Sequence, residues 1–563
     1  MAFKSLIFPI FFVLVFVLYW FPLKGKIRAQ NFFLLLASYV FYGWWDWRFL
    51  SLIIFSSLVD YTIGLKMNES SDQKTRKRLL FVSLFVNLGM LGVFKYFNFF
   101  SDSFATLMTQ VGLNVNPLSL NVILPAGISF YTFQTLSYTI DIYRRQLEPT
   151  KDMLQFFTFV SFFPQLVAGP IERAKNLLPQ FAVNRRFSYE KAVDGSRQIL
   201  WGFFQKIVIA DNCAVYANEI FNNSADYGGS TLLLGAIFFT FQIYGDFSGY
   251  SNIAIGTARL FGVNLMQNFA FPYFSRDIAE FWRRWHISLS TWFRDYVYIP
   301  LGGSRIGTWG KVRNTFVIFI VSGFWHGANW TFIIWGALNA LYILPLILLK
   351  QNRNNLDIVA KNRYLPNLRE CWQMGITFLL TVLAWVFFRA DNVTHAVTII
   401  GEIFSFSSLS KPAFVGMYKS IFTLGLIGVF LIIEWLGREG QFALDFSKVK
   451  LNRPVRWASY YLIILSILYF GNFEDQPFSL IGACGRTDEL RAAIESGGVT
   501  WPSFDCDQCE DSPAETWGVS RWPANILIDK NGIVQAVNEF DKDALKARIA
   551  GLLKLQTPTI GAN

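Results

Sequence analysis

Histidine is nearly missing from this chain, with three in 563 residues, and cysteine is scarce, with five. Charge is thin as well: 16% of residues are Asp, Glu, Lys or Arg, against 53% apolar and 18% aromatic, with a mean hydropathy of +0.34. That composition excludes an ordinary soluble domain. Cys213 and Cys371 stand far apart, and Cys484, Cys506 and Cys509 fall near the end, so no disulfide framework is implied before the C-terminal part. No His and Cys cluster has ligand spacing in the apolar part, which argues against zinc, and no metal is expected. Walker loops and GxGxxG turns after a strand are absent too. The net charge of +11 comes with no nucleic-acid motif, so nucleic acid is not an expected partner.

What is present is a series of apolar runs. Candidate spans fall near 5–21, 31–45, 48–65, 80–97, 119–142, 196–218, 231–258, 372–388, 419–436 and 457–472. The expected fold class is therefore an all-α polytopic membrane protein of about ten spans, with membrane lipid around it. The first run lacks a small-residue cleavage site and is followed at once by further runs, so it reads as retained rather than as a signal peptide. Basic loops (Lys24, Lys26 and Arg28; Lys66 to Arg78; Arg144, Arg145 and Lys151) alternate with loops free of Lys and Arg. This places both termini outside and the basic loops in the cytoplasm of a cell-membrane protein. Two apolar segments, 153–170 and 315–349, lie between basic loops, so each must dip in and return or cross twice. Such broken backbone at membrane depth is tolerated where it is buried or lines a wet cavity.

Two of the three histidines lie in residues 268–330. His326 sits within 315–349, which has no Asp, Glu, Lys or Arg. A lone ionisable group there is costly and reads as functional, the alternative being a core histidine satisfied by a carbonyl. Residues 276–294 repeat charge and tryptophan at helical spacing and predict one amphipathic helix at the cytoplasmic interface, with His286 interfacial on it. Asp246, inside a span, is expected to pair with an arginine of that helix, as structure or as catalysis. Trp325, Asn329, Asp246, Trp282 and Arg283 are taken as substrate-channel residues. His395, in a polar loop, reads as a surface residue. A transporter or channel built on the same broken helices is the competing class.

The ordered blocks LPAGISFYTFQTLSYTIDIYR, FFPQLVAGPIER, YGDFSGYSNIAIG, FWRRWHISLSTWFRDYVYIPLGG, SGFWHGANWTFIIWG, LAWVFFRAD and YFGNFEDQPF resemble the membrane-bound O-acyltransferase family, in the branch typified by the alginate O-acetyltransferase membrane subunit. The resemblance covers about residues 1–478. It implies a helical ring around a buried channel, with His326 as the family's essential histidine and His286 as its second recurrent one. Asn252 stands where an aspartate is expected. It also implies an acetyl donor such as acetyl-coenzyme A entering from the cytoplasm, drawn by Arg276, Arg283, Arg284, Arg294, Arg305, Lys311 and Arg313, with no cofactor held permanently. The acceptor side would be an extracellular polysaccharide, reached through a separate periplasmic transferase that takes the acetyl group on a serine. D-alanyl transfer to teichoic acid, the work of a sister subfamily, is the alternative.

Composition changes at residue 479. Residues 480–563 carry eight Lys plus Arg against twelve Asp plus Glu, a net −4, which leaves +15 for residues 1–479. Strands are expected at 480–483, 525–529 and 533–538, and helices at 487–496, 513–517 and 542–555. The segment WGVSRWPANILIDKNGIV resembles the C-terminal part of a thioredoxin-like domain of the periplasmic thiol-reductase type, with Pro523 as its cis-proline. Its first half is absent, and the Cys506–Cys509 spacing falls outside that fold's redox position. The partition is therefore a 1–478 membrane domain and an incomplete 479–563 segment, joined without a linker as in a chimeric junction.

Overall fold

The computed structural model describes residues 5, 7–113, 115–120, 124–167, 169–445 and 452–471, together with four strands beyond them. It divides into two compact units, Met1–Asn472 and Phe473–Asn563.

The first unit is helical. Its apolar runs become helices where side chains at N-caps take up the orphan backbone N–H groups. Asp72 accepts from Lys74 N and Thr75 N ahead of Gln73–Leu91, and Asn367 and Glu370 close a reciprocal box ahead of Leu368–Arg389. Among the described residues, six helices are long and apolar enough to cross a membrane: Trp47–Glu69, Gln73–Gln110, Gly229–Leu260, Trp330–Leu348, Leu368–Arg389 and Met417–Gly437. The protein is thus an integral membrane protein. Among the described residues of the segment expected to span 119–142, the helix runs from Ile128 to Tyr143, after an αL turn at Gly127.

Two long rods carry π-helical insertions. Residues 73–110 run α, then π at Gly92–Tyr96, then α; residues 189–222 do the same around Phe204–Ala210. Such insertions recur at functional sites because the extra residue turns the next side chains to a new face. Close packing comes from small residues. A Cβ on Gly202 would lie 2.6 Å from the carbonyl oxygen of Gly249, so Tyr189–Phe203 and Gly229–Leu260 cross with backbones touching.

Of the two segments expected to dip in and return or cross twice, 315–349 turns back on itself, and 153–170 is a broken helix. Met153–Ser161 ends at Phe162 and resumes as Phe163–Leu166, buried from Gln155 onward. Residues 315–349 form the second half of Gly307–His326 and then Trp330–Leu348, joined by residues 327–329 and packed face to face. A Cβ on Gly323 would meet the carbonyl oxygen of Phe332 at 2.2 Å, and one on Gly336 that of Phe319 at the same distance.

The sequence pattern predicted one helix over 276–294, whereas there are two short ones, Ile278–Arg284 and Ile287–Phe293, with His286 between them at φ 44 and ψ 55. The break is held by residues 268–270: Ile287 N donates to Asn268 O at 2.9 Å, Ala270 N to Arg284 O at 3.0 Å, and the Asn268 carboxamide accepts from Ser288 N and Oγ. The charge periodicity has another cause. Glu280, 1% exposed, pairs with Arg276 and Arg284, so these charges satisfy one another rather than facing water.

In the second unit, β1 (Ser479–Cys484), β2 (Ser503–Asp505), β3 (Asn525–Ile528) and β4 (Val534–Val537) form a sheet in the order β2-β1-β3-β4. β1 is parallel to β2 and antiparallel to β3, which is antiparallel to β4. Three strands fall where expected; β2 lies in a stretch read as loop. The expected helices, Pro523, Cys506 and Cys509 lie outside the described residues.

Candidate active site

His326 is the last residue of Gly307–His326, and its ring is enclosed by aromatics: Trp325 at 4.9 Å, Trp335 at 5.1 Å and Phe388 at 5.3 Å between ring centroids. Across the site, 6.4 Å away, lies the ring of His286. The left-handed turn places that residue inward, 1% exposed and edge-on to Phe247 at 4.5 Å, rather than at the interface. Trp285, expected at headgroup level, is 3% exposed.

Both histidines line a cavity of about 620 Å³ with Lys95, Ser129, Phe130, Lys206, Gln242, Asp246, Tyr250, Trp285, Trp325, Trp385 and Phe388 among its walls. Asp246 does not pair with an arginine of 276–294. It pairs with Lys206, which also reaches Asp211 Oδ1 at 2.7 Å. Within the first unit Asp246 and Lys206 therefore neutralise one another, with Asp211 in excess. Some of the buried polar atoms without a protein partner line this cavity. Among the described residues, both ring nitrogens of His286, the indole nitrogen of Trp325 and Oε1 of Gln242 have none. Buried polar groups are nearly always satisfied, so these atoms are open to a hydroxyl or carbonyl that enters the cavity.

A second cavity, of about 680 Å³, has Arg283, Arg294, Lys311 and Arg353 in its lining, with no carboxylate, above a floor of Phe293, Ile318, Phe319, Ile343 and Ile347. Trp282 and Arg283 belong here rather than with the histidines. Arg283 donates to Asn352 O and Asn355 O at 3.0 and 2.8 Å, tying down the 352–355 loop. Trp335 stands between the two spaces, its ring 5.6 Å from Trp282 and 5.1 Å from His326.

Asn329 lines neither cavity. Its side-chain Oδ1 accepts from Thr331 N and caps Trp330–Leu348, and its side-chain amide donates to Asp391 O. Asn252 lies in an amide network, accepting from Gln198 and donating to Gln205, which reaches the buried Glu434. His395 sits in the first turn of Val393–Ile403, partly buried, with Nε2 2.8 Å from Ser224 Oγ, so it is not a loop surface residue.

Sequence reasoning did not single out Lys95 or Lys206, although each is a lone cation in an apolar run, the same signal that marked Asp246. That their side chains face one cavity depends on the two π-insertions, which composition does not announce.

Residues 56–366 match the model of the membrane-bound O-acyltransferase family. The chain is 42% identical over 424 residues to a probable alginate O-acetylase of Pseudomonas putida, covering 74% of this chain and 84% of that protein. It is 34% identical over 403 residues to a peptidoglycan O-acetyltransferase of Helicobacter pylori, covering 67% and 74%. A teichoic acid D-alanyltransferase of Streptococcus thermophilus is 30% identical over 262 residues, 43% of this chain and 62% of its own length. The chain belongs to the membrane-bound O-acyltransferase family and is an O-acyltransferase of the membrane.

Proposed function

We propose that the protein transfers an acetyl group from a cytoplasmic thioester, acetyl-coenzyme A, across the cell's inner membrane for O-acetylation of an extracellular polysaccharide of the alginate kind. The observation that carries this is the pair of histidines, His286 buried and His326 half-buried, facing one cavity within a chain of this family. The acceptor hydroxyl oxygen forms a bond to the thioester carbonyl carbon while its proton passes to the imidazole of His326. The resulting oxyanion collapses, the C–S bond breaks, and the thiolate takes the proton back. His286 supports the acceptor from the opposite wall, its unpartnered nitrogens free to meet a hydroxyl.

The cationic cavity suits the phosphates of the donor, since clustered like charge in a low-dielectric cleft raises the local concentration of its counter-ion. Trp325 and Asp246 belong to the acceptor side, Trp282 and Arg283 to the donor side, and Asn329 to the frame. About ten crossings, with 153–170 and 315–349 entering and returning, would enclose a channel between the two faces. Nothing outside the membrane in this chain resembles a carbohydrate-binding domain, which supports a separate periplasmic transferase that receives the acetyl group on a serine. Residues 479–563 are read as an incomplete thioredoxin-like segment at a chimeric junction, dispensable for transfer. Alginate and peptidoglycan relatives match over more of the chain, and at higher identity, than the D-alanyl one, which favours acetyl over D-alanyl.

The test deletes the gene and measures polysaccharide acetyl ester after complementation with wild type or His326→Ala at matched membrane abundance. Wild type is expected to restore the ester and His326→Ala to leave it absent; full restoration by the variant removes His326 from the role. Polymer acetylation by the purified protein with acetyl-coenzyme A alone would remove the separate transferase.

A further inference from the structure

Two lysines reach the histidine cavity, each from a π-helical insertion, and they are provided for differently. Lys206 has two carboxylates, Asp211 and Asp246. Lys95 has no carboxylate partner among the described residues. Its ammonium meets only neutral acceptors, the carbonyl of Trp325 and, at 3.4 Å, the hydroxyl of Ser129. It also lies 5.5 Å from the Trp325 ring centroid and 5.7 Å from that of Tyr96. An ammonium has three donors, and these two acceptors leave one over. An uncompensated charge at this depth is expensive unless an anion arrives to offset it.

The position is fixed from both sides. Tyr96, the next residue, stacks on Phe324 with ring centroids 4.2 Å apart and donates to Phe324 O at 3.0 Å. Lys95 and Tyr96 thus hold the last carbonyls of the helix that ends at His326, where the negative end of the helix dipole partly offsets the ammonium. Beside it, the Trp325 indole N–H, on a residue 7% exposed, has no partner and belongs to the same cavity.

We infer that Lys95, with the Trp325 indole N–H as second donor, binds the oxyanion that forms on the thioester carbonyl during acyl transfer. This rests on the acetyl-transfer reading above and adds the charge that reading lacked. When the acceptor oxygen bonds to the carbonyl carbon, the displaced π pair becomes a full negative charge on oxygen, and its proton is on His326. A preorganised cation and N–H in a water-poor site stabilise that charge far more than they stabilise the neutral thioester. Lys206 cannot substitute, because its two carboxylates already answer its charge.

The test uses the full chain in membranes and in detergent. Lys95→Met is expected to lower kcat by about a hundredfold with KM for acetyl-coenzyme A within about threefold, the pattern of an interaction made only in the transition state. Lys95→Arg, which keeps the charge, is expected to recover at least about tenfold of that loss. A readout independent of turnover is binding of methylphosphonate, a small tetrahedral anion, followed by intrinsic tryptophan fluorescence; Lys95→Met should weaken it about tenfold or more. Four results overturn the inference. They are kcat for Lys95→Met within threefold of wild type, a raised KM with unchanged kcat, Lys95→Arg no better than Lys95→Met, or equal methylphosphonate binding by wild type and Lys95→Met. If wild type transfers no acetyl group yet binds methylphosphonate through Lys95, the acetyl reading falls and the anion site stands.

Discussion

The two cavities of the membrane unit are close in size and opposite in chemistry. One, of about 680 Å³, gathers Arg283, Arg294, Lys311 and Arg353 with no carboxylate in its lining; the other, of about 620 Å³, presents two histidines, aromatic rings, the paired Lys206 and Asp246, and one lysine, Lys95, without a carboxylate among the described residues. The difference separates recognition from chemistry. A cluster of cations serves for holding an anionic handle, whereas the histidine cavity confines its charge to the Lys206–Asp246 pair and the single ammonium of Lys95. Trp335, in contact with Trp282 on one side and His326 on the other, keeps the two environments apart.

The largest expected effect falls on the chemistry side alone. His326→Ala should lower kcat for acetyl transfer by about a thousandfold, within the range for loss of a general base, with KM for the donor little changed in steady-state assays. A KM effect of the same size would erase the distinction between the cavities. On the other side, Lys311→Gln combined with Arg353→Gln should raise KM for acetyl-coenzyme A about tenfold, leave kcat within about twofold, and flatten the dependence of KM on ionic strength. If kcat falls instead, the cationic cavity takes part in chemistry.

A smaller effect tests the wall. Gly336→Ala puts a methyl against Phe319 O, and the overpacking should cost roughly 1–3 kcal/mol, seen as a lower Tm in detergent and a drop in both parameters through disturbance of the neighbouring Trp335. The smallest expected effect is from truncation after Phe478: transfer by the membrane unit should stay within about twofold of the full chain at equal abundance, since function sits in whole sites rather than in appended segments. Loss of activity with normal insertion would give the C-terminal segment a part in transfer.

Much of this was legible in the sequence. The charge-free run around His326 predicts burial because it offers no charged group to keep it in water, and His326 is indeed ringed by aromatics. The turn-back of 315–349 followed from the basic residues on either side of it. What was not legible depended on long-range backbone contact. Periodicity over 276–294 is truly helical, yet residues 268–270 take the backbone groups of Arg284 and Ile287 on either side of the break, which converts an interfacial histidine into a buried one. The partner of Asp246 was misjudged for a similar reason. Lys206 lies 40 positions earlier in the sequence, and only the π-insertion in residues 204–210 turns it toward the cavity.

The left-handed backbone at His286 bears on how this residue can be interrogated. Of the non-glycine side chains, asparagine, aspartate and histidine tolerate that conformation best, whereas alanine meets its own carbonyl at a cost of about 1–2 kcal/mol. An alanine scan would therefore mix a conformational penalty with the loss of the imidazole, and a dead His286→Ala protein would say little about either. His286→Asn keeps the turn, keeps a donor and an acceptor, and removes only the titratable ring. Sequences that carry glycine or asparagine at this position would preserve the geometry of the neighbouring base while abandoning whatever the second histidine contributes, a natural experiment already written into the backbone.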